Sequence, residues 1–166
     1  MTGTLFGCLC ALLVFFEHPV AGAVSLLIAG FLDILDGAVA RSSGRVTRFG
    51  GFFDSVLDRY TDLAVMGAIM LVYMRHNEMG YALTGFVAVV GTALIPYARA
   101  RAEAASVQCK TGLLERPERT VLILIGLFIP FLLNYVVIVL AVLTHVTVIQ
   151  RIVHVWRETK KLDRKG

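Results

Sequence analysis

The chain has 166 residues, of which 57% are hydrophobic and 17% charged, against about 45–50% and about 25% in ordinary soluble domains. With a mean hydropathy of +0.76, that balance excludes a water-soluble globule, a disordered chain and a disulfide-built scaffold. The 16 basic and 12 acidic residues leave a net charge of +4, and in so apolar a chain the surplus reports membrane orientation rather than nucleic-acid binding. The expectation is an all-α integral membrane bundle, because a helix in lipid satisfies its own backbone groups.

Apolar runs fall at residues 4–16, 20–40, 52–74, 80–98, 120–131 and 132–155, which predicts six transmembrane helices forming a single domain over residues 1–166. At about 1.5 Å per residue the first run reaches only about 20 Å, short of a hydrocarbon core about 30 Å thick. A truncated first span that begins upstream of Met1 is the expectation, since no basic segment precedes the run as a signal peptide requires. The second run ends in Asp33, Asp36 and Arg41, and the third opens at Gly50 and carries Asp54 and Asp58. The long uncharged stretch after Arg119 is divided at a tight turn around Pro130 and Asn134, because one span needs only about 20 residues.

Charge tests this division independently. With six spans and the N-terminus inside, 15 of the 16 basic residues fall on one side and only Arg75 on the other. The cytoplasmic side holds the Lys and Arg of a membrane protein, so both termini are placed inside. The aspartates lie at the cytoplasmic ends of their spans, where an ion path through the full depth of the membrane, as in a small transporter or channel, would need acids at several depths.

Four carboxylates there are costly, about 2.5–3.5 kcal/mol each at a helix centre, and they ask for a cation. Asp33 and Asp36 are three residues apart and Asp54 and Asp58 four apart, so each pair shares a helix face. Oxygen-only ligation suits Mg²⁺, with Mn²⁺ as the alternative, and no Cys/His set favours zinc. Gly37 and Ala40 keep the stripe after Asp33 free of bulk, Gly50 does the same on the third span, and Arg41 offers a bidentate donor to a phosphate. Asp62, one turn beyond Asp58, reads as the partner of a neighbouring arginine.

The run Asp33-x-x-Asp36-Gly37-x-x-Ala40-Arg41, eight residues, then Gly50-x-x-x-Asp54-x-x-x-Asp58 resembles the signature of the CDP-alcohol phosphatidyltransferase family at every fixed position. The resemblance implies transfer of a phosphatidyl or archaetidyl group from a CDP-linked lipid to the hydroxyl of a small alcohol, with release of CMP. It further implies that Asp33, Asp36 and Asp54 ligate metal, that Asp58 ligates a second ion or acts as the catalytic base, and that Gly37, Arg41 and Thr47 contact the CDP-lipid. A homodimer in a prokaryotic cell membrane, with the site facing the cytoplasm, belongs to the same implication. Family members usually begin with a short amphipathic segment, where this chain has only Met1-Thr2-Gly3.

A second polar cluster follows the fourth span, from Arg99, Arg101 and Glu103 to Glu115, Arg116, Glu118 and Arg119, and Arg151 joins it from the sixth. Arg116, Arg119 and Arg151 are the candidates for the phosphate of the acceptor. These stretches are similar to the branch of the family that uses inositol phosphate, which makes that ester the first expectation and glycerol 3-phosphate the alternative.

Overall fold

The computed structural model describes residues 2–42, 47–109 and 111–162, those at 40–42 and 162 by backbone alone. The described residues form helices α1 (Thr2–Phe15), α2 (Pro19–Ser42), α3 (Arg48–Arg75), α4 (Met79–Ala104), α5 (Arg116–Phe128) and α6 (Leu133–Leu162), with a 3₁₀ turn at Pro130–Leu132 between the last two. The expected break lies at Pro130, whose missing N–H ends the α5 ladder. Asn134 falls just inside α6, where its Oδ1 accepts from Tyr73 Oη at 2.7 Å. Among the described residues three helices are long and apolar enough to cross a membrane, within Pro19–Val39, Met79–Ala104 and Pro130–Lys161. The remaining three differ for physical reasons: α1 and α5 have 14 and 13 residues, and α3 carries Asp54, Asp58, Arg59 and Asp62 along its length.

Two turns at one end of the bundle are tied together. Glu17 and Asn77 take left-handed backbone conformations, with φ of 63° and 59°, and reverse the chain between α1 and α2 and between α3 and α4. Arg75 Nη1 donates to Glu17 Oε1 at 2.9 Å and its Nη2 to the Phe15 carbonyl at 3.2 Å, so α3 holds the first turn from across the bundle. α1 packs on α2 and α3, α4 on α3 and α6, and α5 on α6 and α2.

The core runs through the middle of this arrangement, with Val65, Met66 and Ile69 of α3 against Val137 and Leu140 of α6 and Cys10 and Val14 of α1. Buried threonines interrupt it: Thr61, Thr144 and Thr147 donate to the carbonyls of Leu57, Leu140 and Leu143 one turn back, as hydroxyls in membrane helices do, while Thr92 Oγ1 is buried without a hydrogen-bond partner. Large apolar side chains such as Leu12, Phe31, Ile34, Leu83 and Phe131 cover the outside. An apolar exterior of this extent suits hydrocarbon and not water.

Close approach of α1 depends on glycine. A Cβ on Gly7 would collide with the Thr61 side chain of α3, whereas one on Gly67 would meet nothing within 4 Å. Gly7→Ala should therefore lower stability by about 1–3 kcal/mol, the cost of overpacking. Gly67→Ala should leave stability unchanged or raise it by up to about 1 kcal/mol through helix propensity. Thermal unfolding of the two variants in the same detergent checks the contrast.

Candidate active site

The last turns of α2 and the first turns of α3 border one cleft at the end of the bundle away from the Glu17–Arg75 tie. The chain re-enters helix at Thr47, whose extended backbone and side chain cap α3: its Oγ1 accepts from Gly50 N at 3.0 Å. A Cβ on Gly50 would lie 2.8 Å from that hydroxyl oxygen, so the Thr47–Gly50 pair sets the start of α3, and with it the phase of Asp54 and Asp58 one and two turns on. The side chains of Ala40 and Arg41, expected to meet the CDP-lipid, lie outside the described residues.

Asp33, Asp54 and Asp58 line one cleft of ≈ 1000 Å³, together with Gly3, Gly37, Asp62 and Arg116. The remaining walls of the cleft are apolar, built from side chains such as Leu26, Phe31 and Ile34 of α2 and Val121 and Leu124 of α5. Asp36 is exposed on α2, and the structure does not bring it onto the lining of the cleft. Gly3 has a local role that sequence spacing did not suggest. A Cβ there would collide with Asp33 Oδ1 and lie 3.0 Å from the Ala29 carbonyl, so the bare α1 backbone is what leaves room for the Asp33 carboxylate.

The carboxylates are bridged by a guanidinium. Arg116 Nη2 lies 3.1 Å from Asp33 Oδ2 and Nη1 2.8 Å from Asp58 Oδ2, with Nε 3.7 Å from Asp62 Oδ1. One turn further along α5, Arg119 Nη2 donates to Asp62 Oδ2, which is the arginine partner expected for Asp62. α5 and α3 thus meet in two rungs, Arg116 with Asp58 and Arg119 with Asp62. The Arg-x-x-Arg spacing on one helix and Asp-x-x-x-Asp on the other is the signal that foretells such a ladder. The start of α5 is fixed by Glu115 N donating to Glu118 Oε2 at 3.0 Å, which holds both arginines toward α3.

A second cavity of ≈ 690 Å³ lies beside the first and is lined by Arg59, Arg99, Glu103, Arg116, Arg119 and Arg151 among others. Of the three arginines expected to meet an acceptor phosphate, Arg119 and Arg151 are 2% exposed. Arg151 Nε donates to the Thr111 carbonyl at 2.9 Å and Nη1 to the Ile95 carbonyl at 2.6 Å, and its Nη2 faces Glu115 at 3.5 Å. Both are held by the protein's own groups. Arg116 is more open, with a third of its side chain exposed, and it lines both cavities.

Among the described residues no three His, Cys, Asp or Glu side chains stand ready to hold a metal ion, and Asp33 and Asp58 are turned onto Arg116. The donor set nevertheless fits a hard divalent cation: it consists of carboxylate oxygens from two helices, and two of those carboxylates already converge on one positive charge.

The sequence profile of the CDP-alcohol phosphatidyltransferase family matches residues 1–149. The chain is 38% identical over 165 residues to the archaetidylinositol phosphate synthase of Methanothermobacter thermautotrophicus, covering 96% of this chain and 82% of that protein. The phosphatidylinositol phosphate synthase of Mycobacterium tuberculosis, in its crystal structure with CDP-DAG bound, matches with a TM-score of 0.87 at 32% identity, over 93% of this chain and 82% of the other. The same synthase in complex with manganese and citrate matches with a TM-score of 0.86 at 33% identity, over 93% of this chain and 78% of the other. This chain therefore belongs to the CDP-alcohol phosphatidyltransferase family. It is a membrane enzyme of phospholipid biosynthesis, a transferase and not an ion channel.

The buried rung makes a stability prediction. Arg119→Ala leaves the Asp62 carboxylate, 10% exposed, with the longer 3.7 Å approach of Arg116 Nε, and should cost about 3 kcal/mol, the lower end for removal of one partner from a buried pair. The Asp62→Asn, Arg119→Gln double variant should recover much of that loss. A double-mutant cycle on unfolding free energies measures the coupling.

Proposed function

We propose that this chain transfers a phosphatidyl or archaetidyl group from a CDP-linked lipid to the hydroxyl of inositol phosphate, releasing CMP. The observation that carries the reading is the first cleft, acidic at one end and apolar along its walls, joined at Arg116 to an arginine-lined cavity. A CDP-linked lipid has the complementary form, a diphosphate at one end and hydrocarbon beyond it. A phosphorylated alcohol is complementary to the second cavity. The synthase names of the relatives favour inositol phosphate over glycerol 3-phosphate.

In this reading Asp33, Asp36, Asp54 and Asp58 would hold the divalent ion or ions, and Gly37, Ala40, Arg41, Thr47 and Gly50 would border the nucleotide-lipid. A divalent ion bound there supplies charge neutralisation for the diphosphate and for the leaving CMP. The manganese complex of the M. tuberculosis synthase supports a divalent ion in this reading. Asp58 is the proposed base: it sits inside the cleft with 18% of its side chain exposed, next to the boundary with the second cavity. Its carboxylate takes the proton of the acceptor hydroxyl as the new oxygen–phosphorus bond forms and the bond to CMP breaks. Arg116 presents its charge to the acceptor phosphate, while Arg119 and Arg151, held on Asp62 and on backbone carbonyls, shape the cavity and contribute its positive field.

The same reading places the unit as one domain over residues 1–166, with six spans and both termini in the cytoplasm of a prokaryotic cell. Arg99 and Arg101 at the end of α4, Arg116 and Arg119 at the start of α5, and Arg157 near the end of α6 support that orientation by the positive-inside rule. The cleft then opens to the cytoplasm, and the protein works as a homodimer.

Purified protein given CDP-archaeol or CDP-diacylglycerol should release CMP with inositol phosphate and much less with glycerol 3-phosphate, free inositol or serine. Preference for an unphosphorylated acceptor contradicts the assignment of the second cavity. Chelation should abolish the reaction and Mg²⁺ or Mn²⁺ restore it, with Ca²⁺ a poor substitute because its bonds are longer and its coordination looser. Asp58→Asn should lower turnover by about 10²–10⁴-fold, the usual contribution of a general base, with CDP-lipid binding largely retained. Loss of binding in proportion to turnover would leave Asp58 the role of ion ligand and remove that of base.

A further inference from the structure

We propose that Arg116 is an internal competitor of the divalent ion: its guanidinium bridges Asp33 and Asp58 in the metal-free protein, and metal binding displaces it toward the arginine-lined cavity. The proposal rests on the reading of Asp33 and Asp58 as metal ligands.

Three features single out Arg116. Among the described residues it is the arginine whose two terminal nitrogens reach carboxylates on two different helices, Asp33 of α2 at 3.1 Å and Asp58 of α3 at 2.8 Å. The oxygens it occupies belong to the residues assigned to the ion, and a guanidinium and a divalent cation repel each other on a shared set of oxygens. Arg116 is also less enclosed than its neighbour Arg119, although its Nε lies 3.7 Å from Asp62 Oδ1. Its Nε is buried without a hydrogen-bond partner, and 33% of its side chain is exposed against 3% for Arg119 on the next turn. The space for it to leave is present, since the same side chain borders the second cavity.

The exchange has a chemical consequence for the transfer reaction. A guanidinium released from Asp33 and Asp58 is a free bidentate donor in the cavity assigned to the acceptor phosphate, so occupation of the carboxylates prepares the acceptor side. Lysine at this position could not do the same. An ammonium is a point charge and does not span carboxylates on two helices in a fixed fork.

The test is a Mn²⁺ titration of the full chain in detergent, by calorimetry or by the EPR signal of free Mn²⁺, with unfolding followed in parallel. Arg116→Met should bind Mn²⁺ about tenfold or more tightly than the wild type, because competing charge-assisted hydrogen bonds are gone. In chelator the same variant should melt below the wild type, and saturating Mn²⁺ should close that gap. Arg116→Lys, which keeps the charge without the fork, should fall between the two. Unchanged or weaker Mn²⁺ binding by Arg116→Met overturns the proposal. If Arg116→Met does not survive purification, Arg116→Gln, neutral and polar, answers the same titration. Failure of the underlying reading has its own signature: a wild type that binds no Mn²⁺, or Asp33→Asn and Asp58→Asn variants that bind it as the wild type does, removes the metal-ligand assignment and the competition with it.

Discussion

Carboxylates inside a bundle wrapped in apolar side chains must be matched by positive charge, and the arrangement of three helices follows from that requirement. Asp33 on α2 and Asp58 and Asp62 on α3 lie partly or largely out of water, where an unpaired carboxylate is costly. Arg116 and Arg119, one turn apart at the start of α5, supply the compensation in two rungs. The position of α5 is therefore dictated from both ends. Its first turn is locked by the Glu115–Glu118 contact, and its positive helix end adds to the charge that the carboxylates meet. At 13 residues α5 ends at the Pro130 break, and α6 then returns the chain so that Arg151 reaches the carbonyls of Thr111 and Ile95.

The same electrostatic knot joins the two cavities. The acidic cleft is open along apolar walls of α2 and α5, which suits a lipid entering sideways from the bilayer with its diphosphate leading. The second cavity is bordered by arginines from α3, α4, α5 and α6, which suits a small anion arriving from water. In the proposed reaction the bond to be made lies where the two meet, beside Asp58 and Arg116. Close packing of α1 completes the acidic side: Gly3 and Gly7 remove the side chains that would otherwise push α1 off Asp33 and Thr61.

Much of this was legible before the fold was known, because the informative features are local. The spacing of four puts Asp54 and Asp58 on one face of α3 and both line the cleft, whereas Asp36, three residues after Asp33, is not on that lining; Pro130 marks a helix break through its missing N–H, while Pro96 is carried inside α4. The family resemblance makes Thr47 a lipid contact and Gly50 leaves the third span free of bulk, and the structure adds their capping of α3. Features that depend on how helices cross were not legible. Spacing along α5 does not say that Arg116 reaches Asp33, 83 residues away, and nothing near Arg151 in the chain says that its donors go to carbonyls of the segment before α5 and of α4. The role of α1 was hidden for the same reason, since a glycine that admits a neighbour looks like any other small residue until the neighbour is placed.

The central claim is that the carboxylates drawn together on α2 and α3 are the seat of the divalent ion. Anomalous diffraction from crystals of this protein grown with Mn²⁺ and a CDP-linked lipid tests it most directly. The account predicts anomalous density within bonding distance of oxygens of Asp33, Asp54 and Asp58, next to the diphosphate. Anomalous density confined to other parts of the protein, or none at saturating Mn²⁺ with the lipid bound, would contradict it.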